Sequence, residues 1–254
     1  MLFLLPKGIE FHAYFGYSYY MKRIIFLLFF LILCGLFVST QEIITAERYL
    51  ETVGERYGSI RDYEANVVIT SGSSNEMHGR LSHLAPSLLK IEFTRPANQY
   101  ILFTGDGLTV YLPEYRLTLK QDIAQSKRSS AAGANLVSSQ GLILLKRNYT
   151  PSYVTGPDPV PLDSLSAEKV VKIRLNRRSV SEGFREIILS INPETKLIRR
   201  LEGRTTAETQ VQFDFSNIRI NQGITAESFI SSFEQTTKAA DSNIINNFLF
   251  KEND

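Results

Sequence analysis

The sequence predicts a mainly β (α+β) fold, with about ten or eleven antiparallel strands that curl toward a barrel behind one long N-terminal helix. Three observations carry that prediction. Apolar and polar residues alternate with a period of two through most of the chain from Asp62 to Ile220. The connections between these runs are short and rich in Gly, Ser, Asn and Pro, which joins neighbouring runs as antiparallel hairpins. Helical spacing is strong in only one segment, ITAERYLETVGERYGS, so helices cannot cover the apolar faces of so many strands and the sheet must curl.

In chain order, residues 1–40 come first and stand apart. Met21-Lys22-Arg23 precede fifteen uncharged residues, Ile24 to Val38, and then the polar exit STQE. The apolar run is shorter than the about 20 residues of a spanning helix, so the segment reads as a secretory signal peptide. The residues before Met21 have no place in such a signal, which makes Met21 the expected start, with cleavage near Thr40 and Val38 at −3. Lipid modification of Cys34, and with it a membrane anchor, is the alternative, although Leu33 stands where a small residue is wanted.

Thr45 can cap the long helix, in which Ala46, Leu50, Val53 and Tyr57 share one side, and Gly58 is placed to end it. A strand begins at Asp62, where Tyr63, Ala65, Val67 and Ile69 alternate against Glu64, Asn66 and Val68, and SGSSN turns it. Met77 to Leu84 returns, Ala85-Pro86-Ser87 turns again, and LLKIEFT, YILFTG, LTVYLPEY and RLTLKQD continue a meander through a Gly105-Asp106-Gly107 turn. Between Gln125 and Ser139 the alternation stops, and with GLILLKRN this stretch reads as loop plus one or two short helices over the sheet. Pro151, Pro157, Pro159 and Pro161 make an extended connection that cannot be a central strand. KVVKIRLNRR, FREIILSI, KLIRRLEG and QVQFDFSNIRI are the remaining strands, separated by SVSEG, NPET and GRTTAE. No repeat or internal boundary divides them, so residues 41–232 are expected to form one domain and residues 233–254 a weakly patterned tail.

Composition narrows the function. The chain has 254 residues, 43% hydrophobic and 21% charged, as a globular protein does. Its 28 basic and 26 acidic residues become 25 of each once Lys7, Lys22, Arg23 and Glu10 leave with the leader, so nucleic acid has no electrostatic footprint. The leader holds the one cysteine, which leaves the mature chain without a disulfide or a thiolate metal site. His78 and His83, five residues apart on one strand, face opposite sides and cannot share a metal, and exposed or edge positions are expected for them. No Gly-x-Ser-x-Gly elbow, His-Glu-x-x-His or phosphate loop is present, so neither enzymatic activity nor a metal or cofactor is expected.

A curled sheet encloses an apolar interior that either fills with side chains or holds an apolar ligand, and the pattern alone leaves both open. The apolar GLILL would make a natural lid. The order of signal peptide, N-terminal helix, Gly79-Arg80-Leu81, turn proline Pro86, LLKIEFTRP, a strand ending in GDG and then LTVYLPEY resembles the LolA family of periplasmic lipoprotein carriers. So does FDFSNIRINQGITAESF, Phe213 to Phe229, and the similarity spans about residues 43 to 230. The resemblance implies an unclosed antiparallel β-barrel with a helical lid, a periplasmic monomer that binds the acyl chains of lipoproteins. Carried onto this sequence, it implies that Leu89, Ile91, Phe93, Ile101, Phe103, Val110 and Leu112 line the cavity, with Leu142 and Leu145 from the lid.

The implied partners are acylated lipoproteins, an inner-membrane lipoprotein-releasing transporter and an outer-membrane acceptor. No cofactor is implied. Two departures stand out: Ala85 occupies the place of the arginine that latches the lid in the family, and the family's Phe-x-Phe-x-Pro-Pro ending is missing after Phe229. A lipoprotein-sensing regulator of the same fold, or a secreted β protein with a filled core and no lipid ligand, is the alternative reading. On the carrier reading, Phe93→Glu is expected to abolish lipoprotein binding while unfolding stays cooperative.

Overall fold

Thirteen strands build one sheet in the computed structural model, which describes residues 44–72, 75–122, 138–180, 182–227 and 243–246. The expected signal peptide with Cys34, the polar stretch from Gln125 to Val137, and Phe229 lie outside the described residues.

Helix α1 (Ala46–Gly58) starts where its cap is written: Thr45 is extended, and its hydroxyl accepts the Arg48 N–H at 3.2 Å. Tyr49, Leu50, Val53 and Tyr57 are buried along one side, as helical spacing dictates. Gly58 is the last helical residue, and the Ser59 N–H closes the end on the Glu55 carbonyl at 3.1 Å.

The strands β1 (Asp62–Ser71), β2 (Asn75–Leu84), β3 (Leu88–Arg95), β4 (Ala97–Phe103), β5 (Gly107–Leu112) and β6 (Leu117–Asp122) then form an antiparallel meander. The GDG segment is the hairpin turn between β4 and β5, closed by the Thr104 N–H on the Gly107 carbonyl at 2.9 Å. Gly105 has φ +94, and a Cβ there would lie 2.6 Å from the Ser87 hydroxyl oxygen, so glycine is required twice over.

Helix α2 (Ser139–Asn148) leads into β7 (Tyr149–Tyr153) and the two-residue β8 (Val160–Pro161), followed by β9 (Lys169–Arg177), β10 (Phe184–Ile191), β11 (Ile198–Thr205) and β12 (Gln210–Ile220). β12 returns to pair with β1, which fuses the two halves into one sheet ordered β13-β6-β5-β4-β3-β2-β1-β12-β11-β10-β9-β7, where β13 is Asn243–Asn246. The path ends at β7 and β13 without joining them, so the sheet is unclosed.

The count exceeds the expected ten or eleven because β8 and β13 are short pieces without alternation of their own. β8 pairs with β9 off the main path. The proline-bearing segment supplies β7 as an end strand, consistent with the exclusion of Pro151 from the sheet centre.

Alternation sends Val67, Ile69, Leu81, Ile91, Leu201 and Phe215 to one side of the sheet, where they pack in one core with α1. The Tyr57 hydroxyl of α1 accepts the Ile198 N–H at 3.1 Å and fixes the helix across the second half. Asp62 secures the chain leaving β12: its buried carboxylate accepts the Gln222 and Gly223 N–H groups at 2.7 and 3.2 Å. No helix among the described residues is long and apolar enough to cross a membrane.

β2 and β3 approach so closely at Gly79 that a Cβ there would lie 2.7 Å from the Glu92 carbonyl oxygen, beside a register shift between His78 and Gly79. Gly79→Ala is therefore expected to destabilise the fold by about 1–3 kcal/mol. Urea unfolding tests this as a lower midpoint at unchanged slope.

Candidate functional site

The core-facing side of β3, β4 and β5 is a continuous apolar face. Leu89 lies opposite Phe103, and Ile91 opposite Ile101, which in turn lies opposite Val110. Directly opposed residues share a face of the sheet, and so do residues two apart along a strand, which brings Phe93 and Leu112 to the same side. Leu89, Ile91, Phe93 and Phe103 are buried in one cluster with Leu142 and Leu145 of α2, and Ile101 packs against it. Val110 and Leu112 stay half-buried on β5. Leu89 has no exposed surface and Phe93 only 4%, so the middle of the face is closed by packed side chains in this conformation.

The cover is α2. Ser138 caps it, its buried hydroxyl accepting the Gly141 N–H at 3.0 Å. Leu142 and Leu145, three apart, turn inward while Ile143 is 66% exposed on the other side. Lys146, next along, meets α1: its ammonium donates to the Glu51 carboxylate and lies 3.9 Å from Glu47. Lys146 first and Arg48 second hold the Glu51 carboxyl below its usual range, while Glu51 raises Lys146. Both partners are solvent-accessible, so this tie is screened by water and salt and readily broken.

Ala85 brings only a methyl group to the turn and is held through its backbone, the N–H donating to the Arg61 carbonyl at 2.8 Å. The cation that ties α2 to α1 thus comes from α2 itself. Nothing local in the sequence links Glu51 to Lys146, 95 positions apart.

One polar side chain lies on the inner side of β2 unexpectedly. His83, paired across the strands with Tyr63 and Leu89, is 4% exposed and does not sit at an edge. Its ring stacks on Tyr63 with centroids 5.0 Å apart, and neither nitrogen has a hydrogen-bond partner among the described residues. Burial lowers its pKa to about 4, against a smaller opposing pull from Asp62. His78 does face the other way, half-exposed beside Glu76. The ambiguity was legible in the run Leu81-Ser82-His83-Leu84, where apolar residues sit on both faces and alternation alone cannot orient the imidazole. Among the described residues no three His, Cys, Asp or Glu side chains converge to hold a metal ion.

The family model described as outer membrane lipoprotein carrier protein LolA matches residues 67–232. No curated protein matches the chain in sequence. Among solved structures, an uncharacterized conserved protein from Thermus thermophilus is similar at 13% identity, over 79% of this chain and 98% of that one, with a TM-score of 0.49. A LolA superfamily protein from Nitrosomonas europaea is similar at 12% identity, over 75% and 99% of the two chains, with a TM-score of 0.40. The lipoprotein LppX from Mycobacterium tuberculosis is similar at 9% identity, over 71% and 97%, with a TM-score of 0.42.

Proposed function

Because the chain belongs to the LolA family of outer membrane lipoprotein carrier proteins, we propose that it carries lipoproteins through the periplasm, from the inner to the outer membrane, with their acyl chains held on the apolar face beneath α2. The observation that supports this reading best is a continuous apolar face on β3 to β5 that shares one core with Leu142 and Leu145 of α2, a ten-residue helix whose polar tie to α1 is a half-exposed ion pair. On this reading Leu89, Ile91, Phe93, Ile101, Phe103, Val110 and Leu112 line the acyl site and Leu142 and Leu145 close it. An inner-membrane lipoprotein-releasing transporter donates the cargo and an outer-membrane acceptor receives it. The working form is a monomer of the domain at residues 41–232, exported by the signal peptide, with residues 233–254 as a tail.

The mechanism is a physical exchange of cover. An acyl chain of about 15 methylenes, at about 0.8 kcal/mol each, represents about 12 kcal/mol of burial before costs. A carrier that kept all of that would not release its cargo. Loading moves α2 off the face, breaks the Lys146–Glu51 tie and exposes Leu142 and Leu145, and these losses with the ordering of the chain offset most of the gain. The lid therefore sets affinity by competing with the ligand for the same face.

A second reading, a filled core with no acyl ligand, is favoured by the complete burial of Leu89 beside Ile91 and Phe93. Native mass spectrometry of the protein, purified from its own cell envelope without detergent, separates the two. Extra mass matching an acylated protein or lipid is the expected result. A clean apoprotein mass, unchanged after incubation with acylated lipoproteins, would sink the carrier reading.

A further inference from the structure

The sheet edge next to the proposed acyl site is occupied by a strand that contributes almost nothing to the core. β13 runs parallel to β6, with Asn243 opposite Leu117, Ile244 opposite Thr118, Ile245 opposite Leu119 and Asn246 opposite Lys120. All four of its residues are exposed, Ile244 by 55% and Ile245 by 48%. Its attachment rests on main-chain hydrogen bonds. Each such bond returns about as much free energy as ordering its residue consumes, so a strand without buried side chains is marginal.

The two ends of the sheet differ in what they can accept. At the far end Pro151 lies within β7 and blunts it as a pairing edge. At the near end β6 continues its ladder outward into another strand, so its main chain is competent to pair in parallel register. β6 also neighbours β5, whose Val110 lies opposite Ile101 on the apolar face and whose Leu112, two residues on, shares that side. In the strand order β6 follows directly on β5, so this is the sheet edge nearest the proposed acyl site.

Resting on the carrier reading above, we infer that the β6 edge is the docking site for the extended polypeptide adjoining the cargo's acylated residue, which adds as a strand in place of β13. Acyl chains then supply affinity common to every cargo, and main-chain pairing adds a contact that tolerates any sequence able to extend. β13 acts as a placeholder that keeps the edge from pairing with other chains while the carrier is empty.

A redox staple tests this. Lys120 and Asn246 are opposed, exposed and away from the apolar face, so Lys120→Cys with Asn246→Cys locks β13 onto β6 when oxidised. Two probes are compared: a diacylated cysteine, and the same cysteine carrying a peptide of about ten residues. Under reducing conditions the peptide-bearing probe is expected to bind about tenfold tighter than the bare one. Oxidation is expected to remove that advantage and leave the bare probe unchanged. A chain truncated after Ser242 is expected to keep the advantage, with or without reductant.

An advantage that survives the closed staple, or is absent with it open and in the truncated chain, overturns the edge assignment while the carrier reading stands. A truncated chain that dimerises and gains nothing from the peptide assigns the edge to a second copy instead and overturns the proposal. Failure of both probes in every state overturns the carrier reading, and the edge assignment with it.

Discussion

Val110→Glu is expected to abolish binding of acylated lipoprotein while the protein still unfolds cooperatively. Val110 is half-buried on β5, opposite Ile101, so in the empty protein a carboxylate there keeps part of its water. An acyl chain laid over it would strip that water without offering a partner, a penalty of several kcal/mol. A loss of at least about 100-fold in affinity follows, and a titration followed by native mass spectrometry reads it. Unchanged binding would remove Val110 from the site. To Phe93→Glu, read from the sequence as a loss of binding with unfolding still cooperative, the burial of Phe93 adds an expected cost in stability. At 4% exposure, packed with Leu89 and Ile91, its carboxylate has neither water nor a cation and is expected to destabilise the core by several kcal/mol.

Acid is expected to weaken the fold through His83. The buried imidazole stays neutral in the folded protein down to about pH 4, whereas its ordinary value is 6.5. Between those values the unfolded chain binds more protons than the folded one, so stability rises with pH across the window. The contribution is complete above pH 6.5 and is lost as pH falls toward 4, by about 3 kcal/mol. His83→Phe keeps a ring against Tyr63 and has nothing to protonate. It is expected to flatten that part of the pH dependence and to raise stability at neutral pH, because two buried nitrogens without partners among the described residues are gone. Urea unfolding of both proteins near pH 7.5 and near pH 4 measures the difference. An equal loss in the two would mean that the proton reaches the folded His83 freely.

The candidate face was legible from local pattern. Leu89, Ile91 and Phe93 against Lys90 and Glu92 is a period of two, and the pleat of a strand converts that period into sides whatever the rest of the chain does. Helix α1 was legible for the same kind of reason, since Thr45, the spacing of Leu50, Val53 and Tyr57, and Gly58 all act within a few residues of where the helix starts and stops. Two features of the site were not. His83 sits where either face of β2 could have been the inner one, and only the strand's position between β1 and β3 buries it. Lys146 carries no signal of its own in the sequence, and its contact with Glu51 depends on where α1 lies.

Taken by itself, the sequence determined the antiparallel β class, the residues that share a face, the ends of α1, and the turn at Gly105. These follow from forces that act over one to four residues: side-chain alternation, capping and positive-φ tolerance. Only the tertiary structure decided that β12 pairs with β1 to make one sheet, that the sheet stays unclosed, that Lys146 ties α2 to Glu51, and that β13 occupies the β6 edge. Each of these joins segments far apart in the chain. Any free edge can in principle pair with any extended segment, so the choice is made by the free energy of the whole sheet and its shared core, which no local run of residues encodes.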